Sequence, residues 1–213
     1  MDLSAMRLEY QNAGLTVDDL GADPLEAFRG WLGTAVEAGV TEPNAMVLST
    51  VGAEGQPEGR NVLLKGLVDS RFEFYTNYHS TKSKQLAKMP RASLLFSWLA
   101  MSRQVSVQGT VERVSAQASD EYWAQRPRLS QLGAIASHQS EPLTHRAELE
   151  QRFEETERKY EDGNVPRPDH WGGWALTPTV IEFWQGRANR LHDRIRFSRQ
   201  PDGNWAAPTL HNP

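Results

Sequence analysis

Arginine is concentrated in one short segment near the end of the chain. Residues 187–199 contain a single acid, Asp193, and five arginines: Arg187, Arg190, Arg194, Arg196 and Arg199. Side chains alternate between the two faces of a strand, so a strand over residues 190–196 places four potential cations on one face: Arg190, His192, Arg194 and Arg196. Adjacent cations repel one another, and the row therefore favours a bound phosphate or carboxylate. The alternative is a solvated edge strand that its charges protect from pairing with other sheets.

Two other groups of basic residues could also contact a phosphate. Arg60 and Lys65 stand at the two ends of the apolar segment R-N-V-L-L-K, from which both could reach an anion while the middle is buried. Lys82 and Lys84 follow Ser80 at the start of a short predicted helix, where free N–H groups and the helix dipole favour a negative charge. Basic residues also mark strand ends and helix surfaces simply because these lie in water. Neither group identifies a site by itself.

The segment Y-W-A-Q-R-P-R-L-S spaces three suitable residue types at four-residue intervals. Tyr122, Arg126 and Ser130 would share one face of a continuous helix, where two hydroxyls and a guanidinium could grip a phosphate. Pro127 argues against a continuous helix, because proline lacks the backbone donor and clashes with the preceding turn. The segment is another candidate anion site, whose geometry depends on where the helix breaks.

Missing residue types and motifs exclude several classes of chemistry. The chain has no cysteine, which excludes disulfides, cysteine zinc sites, iron–sulfur clusters and a thiol nucleophile. The six histidines are scattered, with no H-x-x-x-H pair, so we expect no catalytic metal. The sequence also lacks a G-x-x-x-x-G-K-[ST] loop, a strand-bound G-x-G-x-x-G and a G-x-S-x-G motif.

Charge and hydropathy limit the partners of the protein. The chain has 23 basic and 27 acidic residues, a net charge of −4, so its overall field repels nucleic acid weakly and any anion site must be local. This disfavours an RNA-binding module that uses the arginine segment. The longest apolar stretch, residues 93–101, is far shorter than the roughly 20 residues of a membrane helix, and no signal core follows the first residues. We expect a soluble cytoplasmic protein with no nucleic-acid or membrane partner.

The periodicity of the sequence predicts the elements that must position these groups. Apolar residues recur at helical spacing after the N-cap pair Asp23-Pro24 and end before Gly39. Alternating or apolar runs predict strands over residues 45–51, 60–65, 72–77, 92–98, 103–114, 180–185 and 190–198. Further helices are predicted over residues 82–89, 119–126 and 144–160. No repeat or long linker divides the chain, so residues 1–213 are predicted to form one α+β domain around an antiparallel meander.

Several segments, in their order along the chain, resemble one enzyme family. The segments are A-M-V-L-S-T-V, R-N-V-L-L-K, F-Y-T-N, R-Q-V-S-V-Q-G, Y-W-A-Q-R-P-R-L-S-Q-L-G-A, S-H-Q-S, W-G-G-W, I-E-F-W-Q-G and R-L-H-D-R. Together they resemble the pyridoxamine 5′-phosphate oxidases, the flavin enzymes of pyridoxal phosphate synthesis, over residues 6–196. The most specific part of the likeness is I-E-F-W-Q-G followed closely by R-L-H-D-R.

This resemblance implies a fold and a cofactor. The family fold is a split β-barrel of the FMN-binding type, antiparallel and Greek-key-like, with flanking helices. It works as a homodimer with FMN in two clefts between the subunits. Carried across motif by motif, the implied FMN-binding residues are Arg60, Asn61, Val62, Leu63, Leu64, Lys65, Tyr75, Thr76, Lys82, Gln104, Gln139, Ser140, Trp184 and Arg194.

The resemblance also implies a reaction. Pyridoxamine 5′-phosphate or pyridoxine 5′-phosphate is oxidised to pyridoxal 5′-phosphate, with O2 as electron acceptor and H2O2 as product. Arg190 and His192 are the implied catalytic residues and lie over the pyridine ring, while residues 1–22 are expected to form a mobile lid. The implied substrate-binding residues are Arg7, Leu8, Glu9, Tyr10, Lys65, Tyr122, Arg126, Ser130, Arg190, Leu191 and His192.

The chain departs from the family pattern at two positions, and two alternatives remain open. Thr81 stands where many members have a second basic residue beside Lys82, and Thr209 stands where the family has a terminal arginine. Neither change touches R-L-H-D-R, so the implied activity is retained. The alternatives are a related split-barrel flavin oxidase with another substrate, such as the phenazine-pathway oxidases, and a non-catalytic protein that binds flavin or pyridoxal phosphate.

Overall fold

The computed structural model describes residues 1, 3, 10 and 13–213. Its helices are α1 (Val17–Leu20), α2 (Pro24–Glu37), α3 (Thr81–Lys88), α4 (Ala116–Gln125), α5 (Arg128–Ala136) and α6 (Arg146–Lys159). Its strands are β1 (Ala45–Val51), β2 (Pro57–Leu63), β3 (Gly66–Val68), β4 (Arg71–Asn77), β5 (Arg91–Trp98), β6 (Arg103–Arg113), β7 (Trp171–Gln185), β8 (Asp193–Ser198) and β9 (Thr209–His211). None of the helices in the described part of the chain is both long and apolar enough to cross a membrane.

All nine strands form one curled antiparallel sheet. Its strand order is β2-β1-β5-β6-β7-β4-β3, with β8 paired to β7 and β9 paired to β8. Strand β7 pairs with β6 along one edge, while its other edge is shared between β4, at residues 171–176, and β8, at residues 180–185. Leu64 and Lys65 link β2 to β3, the two ends of this order, and the N–H of Lys65 donates a 2.8 Å hydrogen bond to the carbonyl oxygen of Glu73 on β4. The curled sheet with its helices confirms the predicted α+β class.

Helix α2 packs an apolar stripe against the inner face of this sheet. With 3.6 residues per turn, residues three or four apart share one face, and the buried ones are Leu25, Phe28, Trp31 and Ala35. The ring centroid of Phe28 lies 5.0 Å from that of Phe72 and 4.8 Å from that of Phe96. Asp23 caps the helix as predicted, since its side chain accepts a 2.8 Å hydrogen bond from the N–H of Leu25. Alternate side chains of β1, β5 and β6 point away from this core and are half-buried or exposed.

The strand predicted over residues 190–198 begins later than expected. β8 starts at Asp193, and residues 188–190 form a short 3-10 turn in which Asn189 and Arg190 have φ values of 57° and 63°. Alternation between two faces requires extended backbone, so the predicted row of cations on one strand face is wrong. Arg190 and His192 precede the strand, and only two of the four residues in that row lie on it: Arg194 and Arg196.

The helix that carries Tyr122 breaks where the sequence predicts. Helix α4 ends at Gln125 and α5 begins at Arg128, so Arg126 and Pro127 form the link between them. At this break Nη2 of Arg126 donates a 3.1 Å hydrogen bond to the carbonyl oxygen of Ser130. This contact holds the arginine beside the first turn of α5. Helices α1 and α5, strands β3 and β9 and the first half of β7 are additional to the predicted elements.

Candidate functional site

A cleft of about 350 Å³ lies between β4 and the region of α5. Five of its lining residues belong to the sets expected to bind flavin or substrate: Tyr75, Thr76, Arg126, Ser130 and Gln139. They come from strand β4, from the start of α5 and its link to α4, and from the loop after α5. Thr76 and Gln139 are 63 positions apart in the sequence, yet the Thr76 hydroxyl donates a 2.9 Å hydrogen bond to Gln139 Oε1. The fold therefore joins distant candidate residues into one concave site.

A buried lysine lies at the base of the Thr76–Gln139 contact. Nζ of Lys82, in the first turn of α3, lies 3.2 Å from Gln139 Oε1 and 3.4 Å from Thr76 Oγ1. Lys82 is only 8% exposed. The described part of the chain places no carboxylate within ion-pair distance of its Nζ. A buried cation is costly unless an anion compensates it, so this position is suited to a phosphate.

The electrostatics of Lys82 agree with its burial. Desolvation, and to a smaller degree the nearby Arg60 cation, lowers the pKa of Lys82 from 10.5 to about 8. Arg60 and Lys82 therefore face the same region, although they come from β2 and α3. Two cations that face one region raise each other's energy, and a dianionic phosphate between them would relieve the repulsion.

Aromatic rings form one wall of the cleft. The rings of Tyr75 and Tyr122 are stacked with centroids 4.0 Å apart, and Trp171 lies nearly parallel to Tyr75 at 5.7 Å. Burial raises the pKa of Tyr75, and the neighbouring Glu73 carboxylate raises it further. The phenol therefore stays protonated and donates a hydrogen bond to Glu73 Oε2 at 3.3 Å.

Arg126 lies over this aromatic wall, and its buried Nε–H has no hydrogen-bond acceptor among the described residues. Its guanidinium carbon is 4.8 Å from the ring centroid of Trp171, a favourable cation–π distance. A buried donor without an acceptor costs about 1–3 kcal/mol. An acceptor oxygen from a ligand in the cleft would satisfy it.

Two glycines let strand β7 approach Tyr75 of β4 and Tyr78, the residue that follows β4. A Cβ on Gly173 would lie 2.7 Å from Tyr75 Cε1 and 2.6 Å from Val114 Cγ2. A Cβ on Gly172 would lie 2.2 Å from the hydroxyl oxygen of Tyr78. All three distances are too short for real contacts, so only residues without a Cβ at these two positions leave room for the Tyr75 and Tyr78 side chains.

Replacing Gly173 by alanine should lower stability and displace the Tyr75 ring. Overpacking a filled site costs about 1–3 kcal/mol, and the free energy of unfolding in urea should fall by that amount. The matched control is Gly163→Ala, because a Cβ at Gly163 meets no atom within 4 Å. Equal unfolding midpoints for the two variants would contradict the packing argument.

A second group of predicted residues lies on the other half of β7. Gln104 on β6, Trp184 on β7 and Arg194 on β8 are direct cross-strand neighbours and form one row. Arg194 is paired with Glu182, since its Nη2 lies 3.0 Å from Glu182 Oε1. The pair neutralises Arg194 and fixes its guanidinium against Glu182.

The implied catalytic residues flank this row. His192 is half-buried, with its ring centroid 4.7 Å from that of Trp184, and its Nδ1 accepts a 3.0 Å hydrogen bond from the N–H of Arg187. The Tyr10 ring contacts both Trp184 and His192, at 5.9 and 5.5 Å. Arg190 is exposed on the 3-10 turn. These residues form one cluster together with Trp184.

One chain does not bring the two groups together. Tyr75 pairs with Gly173 on β7, and Trp184 lies eleven residues farther along the same strand. At about 3.3 Å per residue the separation is roughly 36 Å along the strand. The two groups are therefore well separated within one chain.

The remaining predicted residues differ in exposure. Asn61 and Lys65 are exposed, Val62 and Leu63 are half-buried, and Leu64 is buried. Only the exposed members can offer side chains to a ligand, so the other three can contribute through their backbone alone or through packing.

Five more predicted residues either lie on exposed loops or fall outside the described residues. Ser140, which has a φ of 73°, and Leu191, which is 66% exposed, are both on loops. The predicted residues 7–9, namely Arg7, Leu8 and Glu9, lie outside the described residues.

Sequence reasoning missed several residues that shape the site. Trp171 stacks in the wall, and its only sequence signal was the W-G-G-W segment. Glu182 neutralises Arg194, and Glu58 bonds to Arg60. Glu182 pairs with Arg194 across neighbouring strands, and Glu58 pairs with Arg60 along one strand face. The sequence around an acidic residue does not show that it has such a partner.

The curled sheet and its two ligand-suited clusters define a split β-barrel of the flavin-binding class. A pyridoxamine 5′-phosphate oxidase-related, FMN-binding protein from Nostoc punctiforme has the same fold, with a TM-score of 0.71 at 17% identity over 91% of this chain and 100% of its own. PhzG from Burkholderia lata 383, solved with tetrahydrophenazine-1-carboxylic acid, is more similar. Its TM-score is 0.87 at 29% identity, over 95% of this chain and 98% of its own. These structures confirm the predicted fold.

Sequence relatives identify the family. The family model described as pyridoxamine 5′-phosphate oxidase matches residues 32–160, and that described as the pyridoxine 5′-phosphate oxidase C-terminal dimerisation region matches residues 171–210. The pyridoxine/pyridoxamine 5′-phosphate oxidase of Rubrobacter xylanophilus is 52% identical, over 95% of this chain and 93% of its own. The enzyme of the same name from Salinibacter ruber is 48% identical over 98% of each chain. The chain belongs to the pyridoxamine 5′-phosphate oxidase family.

Proposed function

We propose that this chain is an FMN-dependent oxidase that converts pyridoxamine 5′-phosphate or pyridoxine 5′-phosphate to pyridoxal 5′-phosphate, with O2 as electron acceptor and H2O2 as product. The names of its relatives at 48% and 52% identity over nearly the whole chain support this substrate class. The observation that carries the proposal is the cleft itself. It unites Tyr75, Thr76 and Gln139, implied flavin ligands, with Arg126 and Ser130, implied ligands of the substrate phosphate.

The residues of the cleft fit FMN and a phosphorylated substrate. Lys82 is a buried cation without an acid partner among the described residues, and Arg126 has a buried Nε without an acceptor. Both need an oxyanion, and two phosphorylated molecules supply two. When bound, FMN supplies the two-electron oxidation, a reaction that amino-acid side chains do not perform.

The side chains of this protein then bind and orient. Lys82, Arg60 and Thr76 hold the cofactor phosphate, with Gln139 fixing Thr76 and Lys82 through its Oε1. Arg126 receives the substrate phosphate, helped by three further residues: Lys65, Tyr122 and Ser130. Placing the reacting atoms about 3–3.5 Å apart supplies much of the rate enhancement in such an enzyme.

Arg190 and His192 orient the substrate ring. Because Nδ1 of His192 accepts a hydrogen bond from the N–H of Arg187, the neutral imidazole carries its proton on Nε2 and can donate from that atom. Asn189 and Arg190 adopt left-handed backbone conformations, which cost on the order of 1–3 kcal/mol each in non-glycine residues. We infer that this turn persists because it presents Arg190 to the substrate.

The protein works as a homodimer whose sites are shared between copies. The family's dimerisation region matches residues 171–210, and these include Trp184, Arg190, His192 and Arg194. In the proposed dimer this cluster of one copy covers the Lys82–Arg126 cleft of its partner, and FMN lies at the interface. This arrangement resolves the separation of the two groups within one chain.

Raising the pH above about 8 should weaken FMN binding. The pKa of Lys82 in the free protein is about 8. A phosphate dianion favours the charged ammonium, so binding above this pH must first return a proton to Lys82. The Kd for FMN should rise by up to about tenfold per pH unit above 8, whereas an ordinary lysine keeps its charge to about pH 10. Quenching of flavin fluorescence, measured between about pH 6.5 and 9.5, gives the Kd.

The control for this profile is Lys82→Arg. Arginine stays protonated throughout this range, so the Kd of the variant should be nearly independent of pH. A flat profile for the unaltered protein, or the same slope in both proteins, would show that another group controls the pH dependence.

An anaerobic titration tests the proposed reaction. Protein loaded with FMN should lose its flavin absorbance when pyridoxamine 5′-phosphate is added without O2, and admission of air should restore the absorbance and produce H2O2 and pyridoxal 5′-phosphate. A flavin-loaded protein that does not respond would indicate a non-catalytic binding protein. A response to a reduced phenazine carboxylate but not to pyridoxamine 5′-phosphate would indicate a phenazine-type oxidase.

Three further assignments stay predictions. They are a single domain over residues 1–213, a lid formed by residues 1–22, and a cytoplasmic location expected from the cysteine-free composition. Leu15 and Leu20 are buried in the main core, so any lid movement should involve the residues before them. Contact of Tyr10 with Trp184 and His192 supports a covering role for this part of the chain.

A further inference from the structure

The guanidinium of Arg60 lies in a closed ring of hydrogen bonds. Nη2 donates to Glu58 Oε2 at 3.1 Å, and Nη1 donates to the Glu58 carbonyl oxygen at 2.8 Å and to the hydroxyl of Thr50. Gln85 of α3 closes the ring, because its Nε2 donates to Glu58 Oε1 and its Oε1 accepts from the Thr50 hydroxyl. Thr50 and Gln85 are 1% and 9% exposed. The inner half of the ring is therefore fixed by packing.

The outer half of the ring can open. The Glu58 side chain is 42% exposed, compared with 20% for that of Arg60. Exposed ion pairs contribute only about 0–1 kcal/mol, so the charge pair itself holds Glu58 weakly, and the bond from Gln85 Nε2 to Glu58 Oε1 is the other contact that must be exchanged for water. Glu58 could turn towards solvent, while Thr50 and the backbone still hold Arg60.

A second anion, the cofactor phosphate, is expected to bind the same N–H groups of Arg60. It faces the same region as Lys82, where the cofactor phosphate is expected, and arginine binds phosphate most strongly through two parallel N–H bonds. In this structure Nη2 is already bonded to the Glu58 carboxylate. A carboxylate and a phosphate dianion around one guanidinium also repel each other.

We propose that Glu58 competes with the phosphate of FMN for Arg60, so that FMN binds only as the Glu58 carboxylate leaves Nη2. The proposal rests on the proposed FMN-binding function and assigns Glu58 a role in setting the affinity for the cofactor. Without FMN, Glu58 satisfies and orders Arg60. When FMN is bound, its phosphate accepts the hydrogen bonds of Arg60 and the Glu58 side chain turns towards solvent.

The test compares FMN with riboflavin, which lacks the phosphate. Glu58→Gln removes the charge but keeps an amide oxygen that can accept from Arg60. It should lower the Kd for FMN by about threefold to tenfold and leave the Kd for riboflavin unchanged. Glu54→Gln is the matched control, since Glu54 is exposed in the turn between β1 and β2 and its loss changes the net charge equally. The control should change neither Kd.

The outcomes separate competition from a structural role. An unchanged or weaker affinity of the Glu58→Gln variant for FMN overturns the proposal, as does an equal gain for FMN and riboflavin. Glu58→Ala provides a second variant should Glu58→Gln fail to fold, with the same expected direction.

A double-variant cycle tests whether the effect passes through Arg60. The gain from Glu58→Gln should disappear in an Arg60→Gln background, because the contested partner is then absent. A gain that persists there overturns the proposal. Failure of the unaltered protein to bind FMN would instead defeat the proposed function, so the two failures are distinguishable.

Discussion

Replacing Lys82 by methionine should weaken FMN binding by about 100-fold while leaving the free protein at least as stable. The ammonium provides a buried, charge-assisted contact with phosphate, and losing such a contact costs about 1.5–3 kcal/mol or more. In the free protein the same ammonium is buried without an acid partner among the described residues, and a buried charge replaced by an apolar group of similar size is often neutral or stabilising. Affinity and stability should therefore change in opposite directions.

Two measurements on one variant check this prediction. Fluorescence titration gives the Kd for FMN, and urea unfolding of the FMN-free protein gives the stability. The matched control is Lys84→Met, because Lys84 is two residues farther along α3 and exposed; its Kd should stay within about twofold. A Lys82→Met protein that unfolds more easily and also binds less FMN would indicate that Lys82 has a structural role instead.

The parts of the fold that local patterns determine were predictable from the sequence. Helix α2 begins at its Asp23 cap and buries residues at helical spacing, and β1 covers the predicted residues 45–51. The break at Pro127 was also predictable, because proline excludes a continuous helix whatever surrounds it. In each case the deciding interaction lies within a few residues of the signal.

The first half of β7 and the turn before β8 were not predictable in the same way. Gly172, Gly173 and Pro178 are poor strand formers, yet β7 runs through them, and the two glycines allow close contact with Tyr75 and Tyr78. Arg190 lies in a segment whose residues alternate as in a strand, but its positive φ is incompatible with the extended backbone of a strand. Tertiary packing decides both features, and neither is visible in the local sequence.

The candidate site was also predictable only in part. Its residue types were recognised from motifs, while its arrangement depends on contacts over long sequence separations, such as that of Lys82 with Gln139, 57 positions away. The ring around Arg60 combines residues of β1, β2 and α3. Glu58 lies two residues from Arg60 on the same strand face, but no spacing rule relates Gln85 to either residue, so the ring could be identified only in the folded chain.

Mixing two inactive variants should restore activity if the sites are shared between copies. Arg126→Ala removes the implied substrate-phosphate ligand of the cleft, and Arg190→Ala removes the implied catalytic residue of the other cluster. Each variant alone should lose about 100-fold or more in kcat/KM, and the Arg190 variant should still bind FMN. In a mixed dimer the cleft with an intact Arg126 receives the intact Arg190 of the other copy. Random assortment makes half of the dimers mixed, each with one complete site, so about one quarter of full activity should return.

The control mixture contains two variants of the same group, Arg126→Ala and Lys82→Met. Every cleft in such a mixed dimer lacks one of these two side chains, and no activity should return. Both mixtures contain equal amounts of two variants of low activity. They differ only in whether the two substituted residues belong to the same group or to different groups. Recovery in neither mixture, with dimers present, would place Arg126 and Arg190 in one site of the same copy. That result would contradict the shared site, which is argued from the eleven-residue separation of Gly173 and Trp184 along β7.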